Sequence, residues 1–167
     1  MRSSLSQLLL TGALLFTSVA QASVRTYFNQ RAGASYVDPY KNVTRAGDNL
    51  EAVLISEISR ARRTIDIAVQ EIRLPAVAME LVRKHRAGVQ VRLLLENGYN
   101  HDVTARPRGR PSQQQENEDP DANYEGARRR ELVALVDANS DGRVTPAELE
   151  ARDAIYILNR AGVPTKD

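Results

Sequence analysis

Thr64-Ile65-Asp66-Ile67-Ala68-Val69-Gln70 and, one helical interval later, Val89-Gln90-Val91-Arg92-Leu93-Leu94-Leu95 are the stretches that decide the fold. In the first, Ile65, Ile67 and Val69 alternate with Thr64, Asp66, Ala68 and Gln70, the period of two that belongs to a β-strand. The second is almost continuously apolar, which predicts a strand buried on both faces. Between them Pro75 suits the first turn of a helix, Val77, Ala78, Leu81 and Val82 form an apolar stripe, and Gly88 supplies a left-handed helix end. Strand, helix and strand with short connections make a βαβ unit, which is parallel and closes right-handed in nearly every case. The predicted fold class is α/β, a parallel or mixed sheet with flanking helices.

Upstream, Asp48 with Glu51 three residues later has the form of a capping box, opening a helix in which Leu50, Val53, Leu54, Ile58 and Ala61 recur at helical spacing. Val24 to Asn29 alternates and predicts a first strand, while residues 30–47, broken by Gly33, Pro39 and Gly47, read as loop. Asn42-Val43-Thr44 matches a glycosylation acceptor, relevant only in a host with that pathway. At the amino terminus Arg2 precedes an apolar run from Leu8 to Val19 that ends in Ala20-Gln21-Ala22. The run is short for a bilayer span and the ending is a cleavage signature, so residues 1–22 are predicted to be a signal peptide and the protein secreted or periplasmic.

Removing that segment leaves 145 of the 167 residues, with 22 basic against 21 acidic, a balance that singles out no partner by charge. Cysteine is absent from the sequence, which excludes a disulfide framework, a thiolate nucleophile and a cysteine-type zinc site. The α/β region is predicted over 23–103. Ligands of such sheets gather beyond the carboxyl ends of the strands, here Gln70-Glu71 and Glu96-Asn97, with Tyr99, Asn100 and His101 just past them. Residues 104–126 then change character: Arg106, Arg108 and Arg110 alternate with Pro and Gly before an acidic run that includes Glu116, Glu118, Asp119 and Asp121. Such a stretch cannot bury a core and reads as a polar linker.

Helical spacing returns at Ala127, with Leu132, Leu135 and Val136, and leads into Asp137-Ala138-Asn139-Ser140-Asp141-Gly142-Arg143-Val144-Thr145-Pro146-Ala147-Glu148. Oxygen-bearing side chains at positions one, three and five, glycine at six and glutamate at twelve match the EF-hand calcium loop. The expected ligands of Ca2+ are Asp137, Asn139, Asp141, the backbone carbonyl of Arg143, Thr145 directly or through water, and Glu148 with both oxygens. The helix–loop–helix is predicted over 127–160 as an insertion, and a single such loop suits bracing better than sensing. Arg160-Ala161-Gly162-Val163 then repeats the pattern of Arg86-Ala87-Gly88-Val89, so 161–167 is expected to begin a strand that breaks off short.

Taken together, the helix from Asn49-Leu50 to Ile58-Ser59-Arg60-Ala61, the strand Thr64 to Gln70, and Arg86-Ala87-Gly88-Val89-Gln90-Val91-Arg92 resemble the amino-terminal half-domain of the phospholipase D superfamily. The resemblance covers about half of the chain beyond the signal and implies phosphodiester hydrolysis, of a phospholipid or a nucleic acid, at a His-x-Lys-x-x-x-x-Asp motif that usually occurs twice. That motif is missing. His85 is followed two residues on by Ala87 and His101 by Val103, so no catalytic residue is assigned, and no organic cofactor is expected. The leading expectation is an exported phospholipase D-like phosphodiesterase, present as an amino-terminal portion that meets its substrate only when a downstream segment completes it. A non-catalytic secreted calcium-binding scaffold and a nuclease-like member of the superfamily are the alternatives. Stable membrane insertion is not expected, since nothing after the signal is apolar enough.

Overall fold

A computed structural model describes residues 24–104 and 120–166, with residues 120–125 described by their backbone alone. The predicted signal segment 1–22 and residues 105–119 of the predicted linker lie outside the described residues. A short antiparallel hairpin comes first, β1 (Ser35–Val37) and β2 (Thr44–Ala46), followed by α1 (Leu50–Arg60), β3 (Thr64–Val69), α2 (Pro75–Arg86) and β4 (Gln90–Leu95). After a single 3-10 turn at Asn97–Tyr99 come α3 (Pro120–Val136), α4 (Pro146–Arg152), α5 (Ala154–Arg160) and β5 (Thr165–Lys166). The fold is α/β, with a parallel three-stranded sheet in the order β3-β4-β5.

The order of the strands determines where the helices lie. A sheet that advances in one direction by right-handed crossovers carries its crossover helices on one face. In agreement, α2 packs against both α1 and α5. Leu81, Leu158, Val77 and Val91 are fully buried at the centre of this layer. Among the described residues no helix covers the opposite face of the sheet. In β4 Val91, Leu93 and Leu95 point into the core while Gln90, Arg92 and Leu94 are exposed, so the expectation of burial on both faces is wrong. An apolar run fits a one-sided strand because Leu94 tolerates exposure, and the polar Gln90 and Arg92 were the truer guide to the outer face.

The two glycine-ended helices close alike. Val89 N–H donates to Lys84 O and Val163 N–H to Leu158 O, each at 3.1 Å, after glycines at φ +84° and +70°. The second ending delivers Thr165 and Lys166 beside Leu93 and Leu94, with Leu93 N–H donating to Pro164 O at 3.1 Å.

Four further expectations need correction. Residues 24–29 form no strand, and Phe28 is bound instead to Asp48: Phe28 N–H donates to the Asp48 carboxylate at 3.0 Å, and Asp48 N–H to Phe28 O at 2.9 Å. The strands form inside the predicted loop, where Asp38 organises a tight reversal by accepting Tyr40 N–H, Lys41 N–H and Arg45 Nε. Asp48 is not the helix cap either. It is buried and paired with Arg31, while Asn49 caps α1 by accepting Ala52 N–H at 3.0 Å and Glu51 is taken by the Tyr40 hydroxyl. Finally, α3 begins at Pro120, inside the predicted linker, because proline is favoured in a first helical turn.

Candidate functional site

The loop from Asp137 to Glu148 joins α3 to α4 and is shaped by its own carboxylates. Asp137, buried at the end of α3, accepts Gly142 N–H at 2.8 Å and Asp141 N–H at 3.3 Å. Asn139 Oδ1 also accepts Asp141 N–H at 3.0 Å, and Asp141 accepts Arg143 N–H at 2.8 Å. The chain passes through left-handed backbone at Ser140 (φ 58°) and Gly142 (φ 78°), and the second of these is where a residue without a side chain is least strained. Thus positions one, three and five all turn their oxygens inward, onto the N–H groups of the next turn.

Glu148 closes the loop. One oxygen accepts Ala138 N–H at 2.8 Å, and the other accepts both the N–H and the hydroxyl of Thr145, at 2.9 and 2.8 Å. Thr145 in return caps α4, giving a reciprocal capping box. The Thr145 N–H and hydroxyl, followed by Ala138 N–H, hold the Glu148 carboxyl below the ordinary carboxylate range. Among the described residues no three His, Cys, Asp or Glu side chains converge so as to hold a metal ion. The six predicted ligands share one loop, and the side-chain oxygens of Asp137, Asn139, Asp141 and Glu148 are directed at backbone and cap donors. A carboxylate oxygen has more than one acceptor direction, so an N–H bond and a cation can share it.

A second polar cluster lies at the carboxyl ends of β3 and β4, where the sequence pointed. Arg128 of α3 is buried and stacks on the Tyr99 ring, 3.3 Å from its centroid, while Glu71 pairs with Arg73 at 2.7 Å and with Arg128 at 3.4 Å. Gln70 donates to the Tyr99 hydroxyl at 3.3 Å. Asp153, in the break between α4 and α5, accepts Val103 N–H at 2.8 Å and caps α5 through Tyr156 N–H. These contacts fasten both helices flanking the loop to the sheet edge.

Arg128 and Asp153 escaped the sequence reading. Arg128 sits in a run of three arginines that gives no hint which one is buried, whereas Asp153 had a signal: an acidic residue directly before the stripe Ala154, Ile155, Ile157 and Leu158 is a helix-start pattern. The two histidines are far apart. His85 lies at the end of α2, by the beginning of the strands, and His101 lies beyond β4, so a six-residue strand of roughly 20 Å separates them. They cannot share one phosphorus as nucleophile and acid.

Comparison with protein-family models, curated proteins and solved structures gives no match to this chain.

Proposed function

We propose that this chain binds calcium in the loop from Asp137 to Glu148, and that the loop braces an exported α/β half-domain of the phospholipase D type. The observation that carries the reading is the gathering of Asp141 and Gly142 N–H groups onto Asp137, which curves the loop around its own oxygen side chains. The donor set is entirely oxygen, the chemistry that calcium takes. Asp137, Asn139, Asp141, the Arg143 carbonyl, Thr145 and Glu148 would hold the ion, and the ion would supply positive charge that relieves repulsion among three carboxylates. Titration calorimetry tests it: the expected dissociation constant is about 10⁻⁴ to 10⁻³ M, and Asp137→Ala or Glu148→Ala should each remove the heat. Absence of calcium heat from the parent chain would sink the reading.

The phosphodiesterase part rests on the helix–strand–helix–strand pattern and on the parallel pairing of β3 with β4 and β4 with β5. With His85 and His101 at opposite edges, hydrolysis is not carried by these residues. A bis-aryl phosphate should be turned over no faster than in buffer, and turnover lost on mutating either histidine would restore a catalytic reading. A scaffold role remains the second reading, favoured by the same separation of the histidines.

A further inference from the structure

We propose that the edge of the sheet where the strands begin is a docking face for an anionic phospholipid surface. Three helices end there. Arg60, Arg62 and Arg63 close α1 and lead into β3, Arg83 and Arg86 close α2, and Arg160 closes α5. The ends are held together: Lys84 Nζ, buried, donates to Ala61 O at 2.8 Å, and Gln90 N–H donates to Arg63 O at 2.9 Å. Arg83, Arg86 and Arg160 share one groove between α2 and α5.

Cations at helix ends are favoured by the helix dipole, which accounts for some of this charge. Arg60, Arg83 and Arg160 are moreover matched by Glu57, Glu80 and Glu150. Arg62, Arg63 and Arg86 are not: all three are exposed and make no ion pair among the described residues. The two in the connector lie beyond the last turn of α1, so its dipole does not require them. A surplus of positive charge therefore faces solvent at this edge. That surplus would hold this edge against a negative surface.

The chemistry of the edge favours lipid over nucleic acid. Met79, Arg83 and Arg86 recur at helical spacing on one face of α2, and Met79 is 48% exposed. An apolar side chain set among arginines suits the boundary between headgroups and acyl chains. Among the described residues the ring that lines this groove is Tyr156, which is half-buried, so single-stranded bases find little face to stack on. The proposal does not depend on calcium binding.

The test is sedimentation of the full chain with phosphatidylcholine vesicles, with and without about one-third phosphatidylglycerol, where each arginine near the surface is worth about fivefold in partition. The expected result is binding to the anionic vesicles alone, weakened by salt, and reduced on the order of a hundredfold by Arg62→Gln with Arg63→Gln and Arg86→Gln. A control with Arg129→Gln, Arg130→Gln and Lys41→Gln, which has the same net charge, should bind as the parent does, and circular dichroism should show both variants folded. The proposal is overturned by equal binding to neutral vesicles, by undiminished binding of the triple variant, or by an equal loss in the control. Tighter binding to a DNA duplex, lost in the same triple variant, would likewise replace lipid with nucleic acid.

Discussion

Asp153 accepts the backbone N–H of Val103 at 2.8 Å, across fifty residues of sequence, and both residues are buried. Because the other Asp153 oxygen caps α5, one side chain ties the segment after β4 to the helix that leads into β5. Asp153→Ala should leave the Val103 N–H buried without an acceptor, lowering stability by about 1–3 kcal/mol in urea unfolding. Asp153→Asn, which keeps an acceptor oxygen, should lose less. An alanine variant as stable as the parent would show that water replaces the carboxylate.

Glu148 gives the loop a dependence on acid. Its carboxyl is held below the ordinary value in the folded chain, so its contribution is present above the unfolded value, near 4.5, and is lost as pH falls through the lower folded value. Urea unfolding of Glu148→Gln should show a weaker acid-side decline than the parent does. Parallel acid limbs for the two proteins would contradict the assignment.

The layer between α2 and α5 should be the most sensitive part of the core. Leu81 has no exposed surface, and truncation to alanine removes buried methyl groups and leaves a cavity. Leu81→Ala should cost about 2–5 kcal/mol, whereas Leu54→Ala, at a half-exposed position of α1, should cost less than about 1 kcal/mol.

Gly47 faces a specific obstacle. A Cβ there would lie 2.2 Å from the backbone C and O of Asn29, and the residue holds φ +92°. Gly47→Ala should destabilise by well over about 1 kcal/mol and release the segment before β1 to proteolysis. Gly33, at φ +76° with open space around its Cβ position, should show only the milder conformational penalty.

The parallel unit was legible because its signals are local and repeated: the alternation at Ile65 and Ile67, the stripe through Leu81, and the glycine after each crossover helix. The outer face of β4 was misread because apolar content alone does not tell one buried face from two. Asp48 was misassigned as a cap because a long-range bond to Phe28 outcompeted the local one, and no spacing in the sequence reports a partner twenty residues away. The turn at Gly142 was legible by its offset from Asp137, whereas the hold of Arg128 on Tyr99 depends on how α3 docks, which is a tertiary property.

The bare face of the sheet also sets how the protein behaves when concentrated. Leu94 is 53% exposed there, and exposed apolar surface of this kind invites association between copies. Arg92 holds Asp66 through two hydrogen bonds, at 2.6 and 2.9 Å, directly across β3 and β4 from one another. A hydrated pair of opposite charges fixed in the middle of that face obstructs such association without adding net charge. In solution its service is colloidal: removing both side chains should leave the fold in place and make the molecules stick.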